Sequence, residues 1–302
     1  MAALQVGLTR VRSGIRPDAL LRSAVLGLPL ALVFALIVGP LVITFAVSFW
    51  QKSGFSMVPA FTLDNYADFF SGVRLQVLLR SLWVAFTGTC IMLLVAYPIA
   101  YFVARRLRPG LVRPVLFLFA VPFLVNYVVR TFAWSDLLSR TGATNSALIA
   151  LGISEQPVDW LLYSDFAVYL GLVTAYMPFM IFPIWLSLSG IDRQLIEASW
   201  MLGEGPWTTF RRVVFPLSLP GVLAAAIFGF VGAFGEVAVS LILGGTGYQL
   251  LGNAIQSALN VLHFPLAAAI SSVATMLMLV MIFAWYRFFD LRLLLGKIMA
   301  RA

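Results

Sequence analysis

Apolar stretches long enough to cross a bilayer recur along this chain and leave little room for any other architecture. Six runs, at 24–49, 78–104, 114–132, 167–190, 219–243 and 266–286, approach or exceed the ~20 residues that span a hydrocarbon core as an α-helix. Inside a bilayer every backbone N–H and C=O needs a partner within the chain, so the runs are read as helices. The composition agrees. With 62% hydrophobic residues, 11% charged and a mean hydropathy of +0.99, 302 residues cannot supply a water-facing surface. The first run lacks a small-residue cleavage site and is read as a retained span. The expected fold class is therefore all-α integral membrane, with six transmembrane helices in one domain over 24–290. A cytoplasmic lead at 1–23 and a cytoplasmic tail at 291–302 flank it.

The net charge of +8 has the size of a nucleic-acid binder's until it is mapped onto this topology. With the N-terminus inside, the inner segments hold Arg10, Arg12, Arg16, Arg22, Arg105, Arg106, Arg108, Arg113, Arg193, Arg211, Arg212, Arg287, Arg292, Lys297 and Arg301. That is fifteen of the 20 basic residues. The outer segments hold Lys52, Arg74, Arg80, Arg130 and Arg140. Such a bias is the positive-inside signature of an even number of spans with both termini cytoplasmic. A nucleic-acid surface would gather its charge on one face, so no nucleic-acid partner is expected.

Catalytic constellations are missing from the pattern. A phosphate-cradling loop needs Gly-x4-Gly-Lys-Ser/Thr, and neither Lys52 nor Lys297 lies in that context. His263 has no second histidine to form a zinc pair and reads as a capping residue before Phe264 and Pro265. Cys90, alone in the second run, reads as a small packing residue. The chain is expected to be no enzyme and to bind no metal or cofactor itself.

The polar stretch from Ile191 to Val222 interrupts the apolar pattern. Asp192 is a plausible N-cap, and Leu195, Ile196, Ser199 and Leu202 recur at helical spacing. Gly203 and Gly205 permit a turn, and Pro206 suits the first position of a second helix. Trp207, Phe210, Val213 and Val214 form its apolar stripe; Pro216 is read as its end, and Pro220 with Gly221 as the start of the fifth span. A helix pair resting on lipid would fit the spacing, but Glu197 and Glu204 disfavour an anionic leaflet and favour a protein partner.

Glu236 is the one carboxylate deep within a predicted span, where it costs on the order of 2.5–3.5 kcal/mol unless it faces protein or water. It reads either as an acid lining a cation pathway or as a structural hydrogen-bonding residue near Gly232 and Gly235. Tyr176, Phe179 and Phe234 fall at similar depth and offer cation–π faces. Arg130 reads either as an outer-interface anchor or as the partner of a loop carboxylate. The third outer loop opens with Gly244-Gly245-Thr246-Gly247, and a short helix is expected near 146–151, ended by Gly152.

The sequence Glu197-Ala198-Ser199, followed by Gly203, Glu204, Phe210 and Pro216, resembles the cytoplasmic coupling (EAA) loop of ABC importer permeases of type I. Further motifs resemble the spermidine and putrescine group of that family. They are Tyr97-Pro98-Ile99-Ala100-Tyr101, Asn126-Tyr127-Val128-Val129-Arg130-Thr131-Phe132-Ala133-Trp134, Tyr176-Met177-Pro178-Phe179-Met180, Gly252-Asn253 and Phe264-Pro265-Leu266-Ala267-Ala268-Ala269. Ser199 and Glu204 depart from the family's usual alanines. The resemblance implies a permease subunit in the bacterial inner membrane, importing polyamines by alternating access. Its implied partners are two cytoplasmic ATPase subunits that hold ATP and Mg, a second permease chain, and an extracytoplasmic substrate-binding protein. Relatives for ferric iron, thiosulfate, molybdate and phosphonate share the framework. A self-contained secondary transporter is the rival from another class, and it gives no reason for the 191–222 loop.

Overall fold

A computed structural model of the protein describes residues 17–288. The N-terminal lead and the C-terminal tail fall largely outside that range, although α1 (Pro17–Val47) already includes the last residues assigned to the lead. An antiparallel hairpin follows, β1 (Gln51–Ser53) with β2 (Ser56–Val58), then α2 (Asp64–Phe70) and the 33-residue α3 (Val73–Arg105). Next come α4 (Pro109–Ala120), a 3-10 turn over Val121–Leu124, α5 (Tyr127–Leu138) and α6 (Ala143–Ala150). The long α7 (Asp165–Ser189) leads to α8 (Arg193–Met201) and α9 (Pro206–Thr209). One π-helical turn, Phe210–Val214, joins α9 to α10 (Phe215–Phe234). The chain ends in α11 (Ala238–Leu243), α12 (Leu251–Asn260) and α13 (Phe264–Phe288).

Among the described residues, five stretches are long and apolar enough to cross a membrane: Pro29–Val47, Val73–Arg105, Asp159–Ser189, Pro206–Phe234 and Phe264–Trp285. The third predicted span is not one helix. Pro122 opens the 3-10 turn, Val125 is extended, and Asn126 caps a new helix by accepting a hydrogen bond from Val128 N at 2.9 Å. A proline with no N–H and an asparagine able to bond the backbone together break the helical ladder there. The fifth predicted span is also broken, between Phe234 and Ala238, and its helix starts earlier than expected.

The core is a three-helix cluster of α3, α7 and α10. Met92, Ala96 and Ala100 of α3, Met180, Ile181 and Ile184 of α7, and Ala225 and Ala233 of α10 are buried in it. Lipid tails are as apolar as leucine, so close packing replaces water exclusion as the force between these helices. Gly221 illustrates this, since a Cβ there would lie 2.4 Å from Pro183 O of α7. It is a contact point inside a continuous helix, not the start of a span.

Around the core, α13 packs on α1, α2 and α12, while α11 packs on α5. The span within α1 buries none of its residues, leaving Leu30, Phe34 and Leu36 exposed. Cys90 also lies on an exposed face of its helix, so it is not a packing residue of this core.

The predicted outer segments are compact. Asn145 is buried, donating to Ser139 O at 2.9 Å and accepting from Val158 N at 2.7 Å. Gly152, at φ +69°, ends α6 as expected. His263 accepts from Leu266 N through Nδ1 at 3.2 Å and its carbonyl accepts from Ala267 N, which makes it the N-cap of α13. Tyr248 in the loop after α11 donates to Asp165 Oδ1 at 2.7 Å, with the Arg80 guanidinium 4.0 Å above its ring. Burial, then the bond to Asp165, raises the Tyr248 pKa.

Candidate functional site

The two helix breaks line one cleft. Its volume is about 510 Å³, and it is lined by Val125, Asn126, Tyr127 and Arg130 from the first break, and Gly235, Glu236 and Val237 from the second. Ala175, Tyr176 and Phe179 of α7 complete it. A cleft of this size matches small-ligand sites. Backbone without helical bonds is tolerated at membrane depth where it lines such a cavity and its polar groups are met otherwise.

Side chains meet them here. Glu236 Oε1 accepts from the backbone N–H of Val237 (3.1 Å), Ala238 (2.9 Å) and Val239 (3.1 Å), the free donors at the start of α11. Its Oε2 accepts from the Tyr176 hydroxyl at 2.5 Å. At the first break Arg130 Nη1 donates to Pro122 O at 2.9 Å, satisfying a carbonyl of the 3-10 turn. Arg130 thus braces the break between α4 and α5 and lines the cleft, and no ion pair to a loop carboxylate is found for it among the described residues.

Glu236 has a structural hydrogen-bonding role and also borders the cleft. It is 4% exposed and caps α11. Behind it, Gly252 lets α12 approach so closely that a Cβ would lie 2.5 Å from Val237 Cγ2. Asn253 accepts from Ser240 Oγ at 2.7 Å and from Leu250 N at 3.2 Å, tying α12 to α11 and to the loop between them. Tyr176 is seated against Gly232, where a Cβ would come within 2.4 Å of its ring.

The sequence placed Tyr176 and Phe179 at the depth of Glu236 and Arg130 toward the outer interface, and the fold brings all four to this cleft. Phe234 does not belong with them: it is 3% exposed and stacks on Phe230, 6.0 Å away on the same face of α10, inside the core. Asn126, Tyr127 and Val237 were missed as cleft residues. Pro122 and Asn126 inside an apolar run were the available signal for the first break.

The 191–222 segment forms a second feature, at the far end of α7 and α10. Asp192 caps α8 through Gln194 N at 2.9 Å, as expected. Gly203 adopts φ +82°, and Pro206 occupies the first turn of α9. Ser199 and Thr209, both buried, share a hydrogen bond of 2.9 Å across the turn. Glu204 accepts from Arg212 at 2.7 Å, and Glu197 from Arg193 at 3.0 Å.

Ala198 and Glu197 lie on the exposed face, beside Trp200, Met201, Leu202 and Trp207. Phe210 packs against Trp207 and Phe215 and the edges of Tyr97 and Tyr101, while the Tyr97 hydroxyl and Ser218 Oγ are 3.0 Å apart.

Pro216 does not end a helix. The preceding π-turn, in which Phe215 N bonds Phe210 O, widens the coil just before a residue with no N–H, and the helix runs on. Arg105, at the end of α3, donates to Leu188 O and Ile191 O and so fixes the start of this segment.

The sequence pattern of the family described as "Binding-protein-dependent transport system inner membrane component" matches residues 67–294. The chain belongs to this family. The permease is 35% identical over 251 residues to the spermidine/putrescine transport system permease protein PotB of Escherichia coli K12, covering 82% of this chain and 90% of that one. It is 34% identical over the same length to PotB of Haemophilus influenzae, covering 82% and 87%. The molybdenum transport system permease protein ModB of Azotobacter vinelandii is 31% identical over 179 residues, 58% of this chain and 73% of that one. Among solved structures, a chain of a bacterial alginate ABC transporter in complex with a periplasmic protein superposes with a TM-score of 0.73 at 16% identity. That match covers 90% of this permease and 94% of that chain, and it shows the fold. This chain is a multi-pass inner-membrane permease of a binding-protein-dependent importer.

Proposed function

We propose that this permease carries organic polycations of the spermidine and putrescine class, by alternating access, through the cleft between its two broken crossings. The observation that carries the substrate class is the cleft's one carboxylate, Glu236, flanked by Tyr127, Tyr176 and Phe179. The Glu236 carboxylate can accept from an ammonium group; Arg130 lines the same cleft and offsets its charge, so the class rests on this acceptor and on the aromatic faces. Aromatic faces add about 0.5–2 kcal/mol each to a cation, enough to guide it without trapping it. The likeness to the PotB permeases supports the same class.

In this reading α4, the 3-10 turn and α5 together make a sixth crossing, and both termini and the 191–218 segment are cytoplasmic. The exposed face bearing Glu197, Ala198, Trp200, Met201 and Leu202 docks on an ATPase subunit. Gly203, Glu204 and Ser199 set the angle between its two helices, and Phe210 and Pro216 relay its movement to α10. Two ATPase subunits hold ATP and Mg, a different permease chain completes the path, and a substrate-binding protein docks outside. A partner shifts the alternating equilibrium only through its differential affinity for the two states.

The test is uptake of radiolabelled putrescine and spermidine into cells lacking this chain and any duplicate, complemented with wild type or Glu236→Gln. Complementation by wild type and an uptake reduced about tenfold or more in the Gln variant are expected, since the amide keeps an acceptor for α11 but loses the charge. Normal uptake in the uncomplemented strain would remove the polyamine assignment.

A further inference from the structure

The two oxygens of Glu236 have different surroundings, and this inference, which rests on the polyamine reading of the cleft, concerns that difference. Oε1 is held by three backbone N–H groups whose positions are set by α11 itself. Oε2 is held by a side-chain hydroxyl, that of Tyr176. The ring of Tyr176 is fixed against Gly232, but its O–H turns freely about the C–O bond. Of the other polar groups that line the cleft, Arg130 donates through Nη1 to Pro122 O and Asn126 Oδ1 accepts from Val128 N.

We propose that the Tyr176 hydroxyl is a placeholder for the substrate's ammonium group, which displaces it from Glu236 Oε2 while Oε1 keeps capping α11. The exchange replaces one donor by another, so the buried carboxylate is never left without a partner. A buried acceptor stripped of its donor is costly, and this exchange avoids that cost on arrival and on departure. The returning phenol helps release the cation, as a pathway requires. The same logic makes the position selective. A primary or secondary ammonium brings N–H donors, whereas a quaternary ammonium of equal charge has none to offer Oε2. The selectivity for N–H-bearing cations thus lies in Glu236 Oε2, and the Tyr176 hydroxyl tempers it by competing for that oxygen.

The experiment uses the complete transporter assembled with its ATPase subunits and companion permease, without binding protein, so that selection outside the membrane does not intervene. A Cys90→Ser background carries Val125→Cys on the cleft wall, and protection of that thiol from a maleimide is titrated with putrescine or its hexamethylated bis-quaternary analogue. Putrescine is expected to protect at about tenfold lower concentration, the worth of one charge-assisted hydrogen bond. Tyr176→Phe keeps the ring on Gly232 and is expected to lower the putrescine midpoint about five- to tenfold, leaving the analogue's midpoint in place. In the unmodified protein, infrared difference spectra are expected to show carboxylate and phenol bands shifting with putrescine and not with the analogue.

Equal protection by both diamines, or a Tyr176→Phe curve superimposed on wild type, overturns the proposal. So does the absence of the infrared change, which is read without any variant at Tyr176. Uptake of labelled putrescine and spermidine by the same preparation, reconstituted with binding protein, separates the two readings. No uptake removes the polyamine assignment and the placeholder with it, whereas uptake with equal protection removes the placeholder alone.

Discussion

Single residues decide where this chain can depart from helical geometry. Gly203 sits at φ +82° with nothing within 4 Å of where a Cβ would be. A substitution there meets no steric neighbour and costs only the left-handed backbone, roughly 1–2 kcal/mol for an ordinary residue and more for a β-branched one. Gly203→Val is therefore expected to uncouple ATP hydrolysis from uptake while the subunit still inserts. Gly203→Asn, which tolerates that region, is expected to keep most of the coupling. ATPase and uptake rates measured together in proteoliposomes check the pair, and equal coupling in the Val variant would show that the turn angle does not matter. Glu197 makes a companion case. Its exposed pair with Arg193 contributes at most about 0.5 kcal/mol. Glu197→Lys is accordingly expected to leave assembly intact and lower coupled transport, an effect then attributable to the docking face.

At the scale of elements, helix ends carry the chemistry. His263 caps α13 with Nδ1, and Pro265 in the first turn has no N–H of its own to satisfy. Burial, and then the charge of Lys52, lowers the His263 pKa from its ordinary value near 6.5. The folded state thus disfavours the protonated ring, and the unfolded state binds more protons between the two pKa values. Stability from this cap is present above about pH 6.5 and is lost as pH falls through the lowered folded value. The ring is partly exposed, so solvent screening keeps the effect small. His263→Asn is expected to keep the cap and flatten this part of the pH dependence. Thermal unfolding of the detergent-solubilised protein between pH 7.5 and 5 measures it; an Asn variant with the wild-type slope would move the titration elsewhere.

For the molecule as a whole, topology is the deciding quantity. Met201, 90% exposed at the end of α8, and Ile153, 68% exposed beyond α6, belong to opposite sides of the membrane in the proposed arrangement. On a Cys90→Ser background, Ile153→Cys is expected to react with an impermeant maleimide in intact cells, and Met201→Cys only after the membrane is opened. Labelling of Met201→Cys from outside would overturn both the orientation and the assignment of the ATPase-facing segment.

The sequence by itself determined the mostly helical membrane class, the positions of four long apolar helices and the turn around Gly203. It also marked Asp192 and His263 as caps. These follow from composition, periodicity and local backbone chemistry, which act within a few residues of one another. It misread the third and fifth runs as single continuous helices because hydropathy counts apolar side chains and is blind to whether the backbone ladder is continuous. Whether Pro122 and Asn126 bend a helix or break it, and whether Gly235 and Glu236 do so, depends on partners far along the chain. Tyr176 is sixty residues from Glu236 in sequence and 2.5 Å from it in space, between hydroxyl and carboxylate. Asn253 and Gly252 reach the same break from α12. Only the tertiary structure decided that Glu236 both caps a helix and lines a cleft, that Arg130 faces it, and that Phe234 does not. An unpaired backbone group inside a membrane is tolerated only where such distant side chains close over it, and closure of that kind is a property of packing.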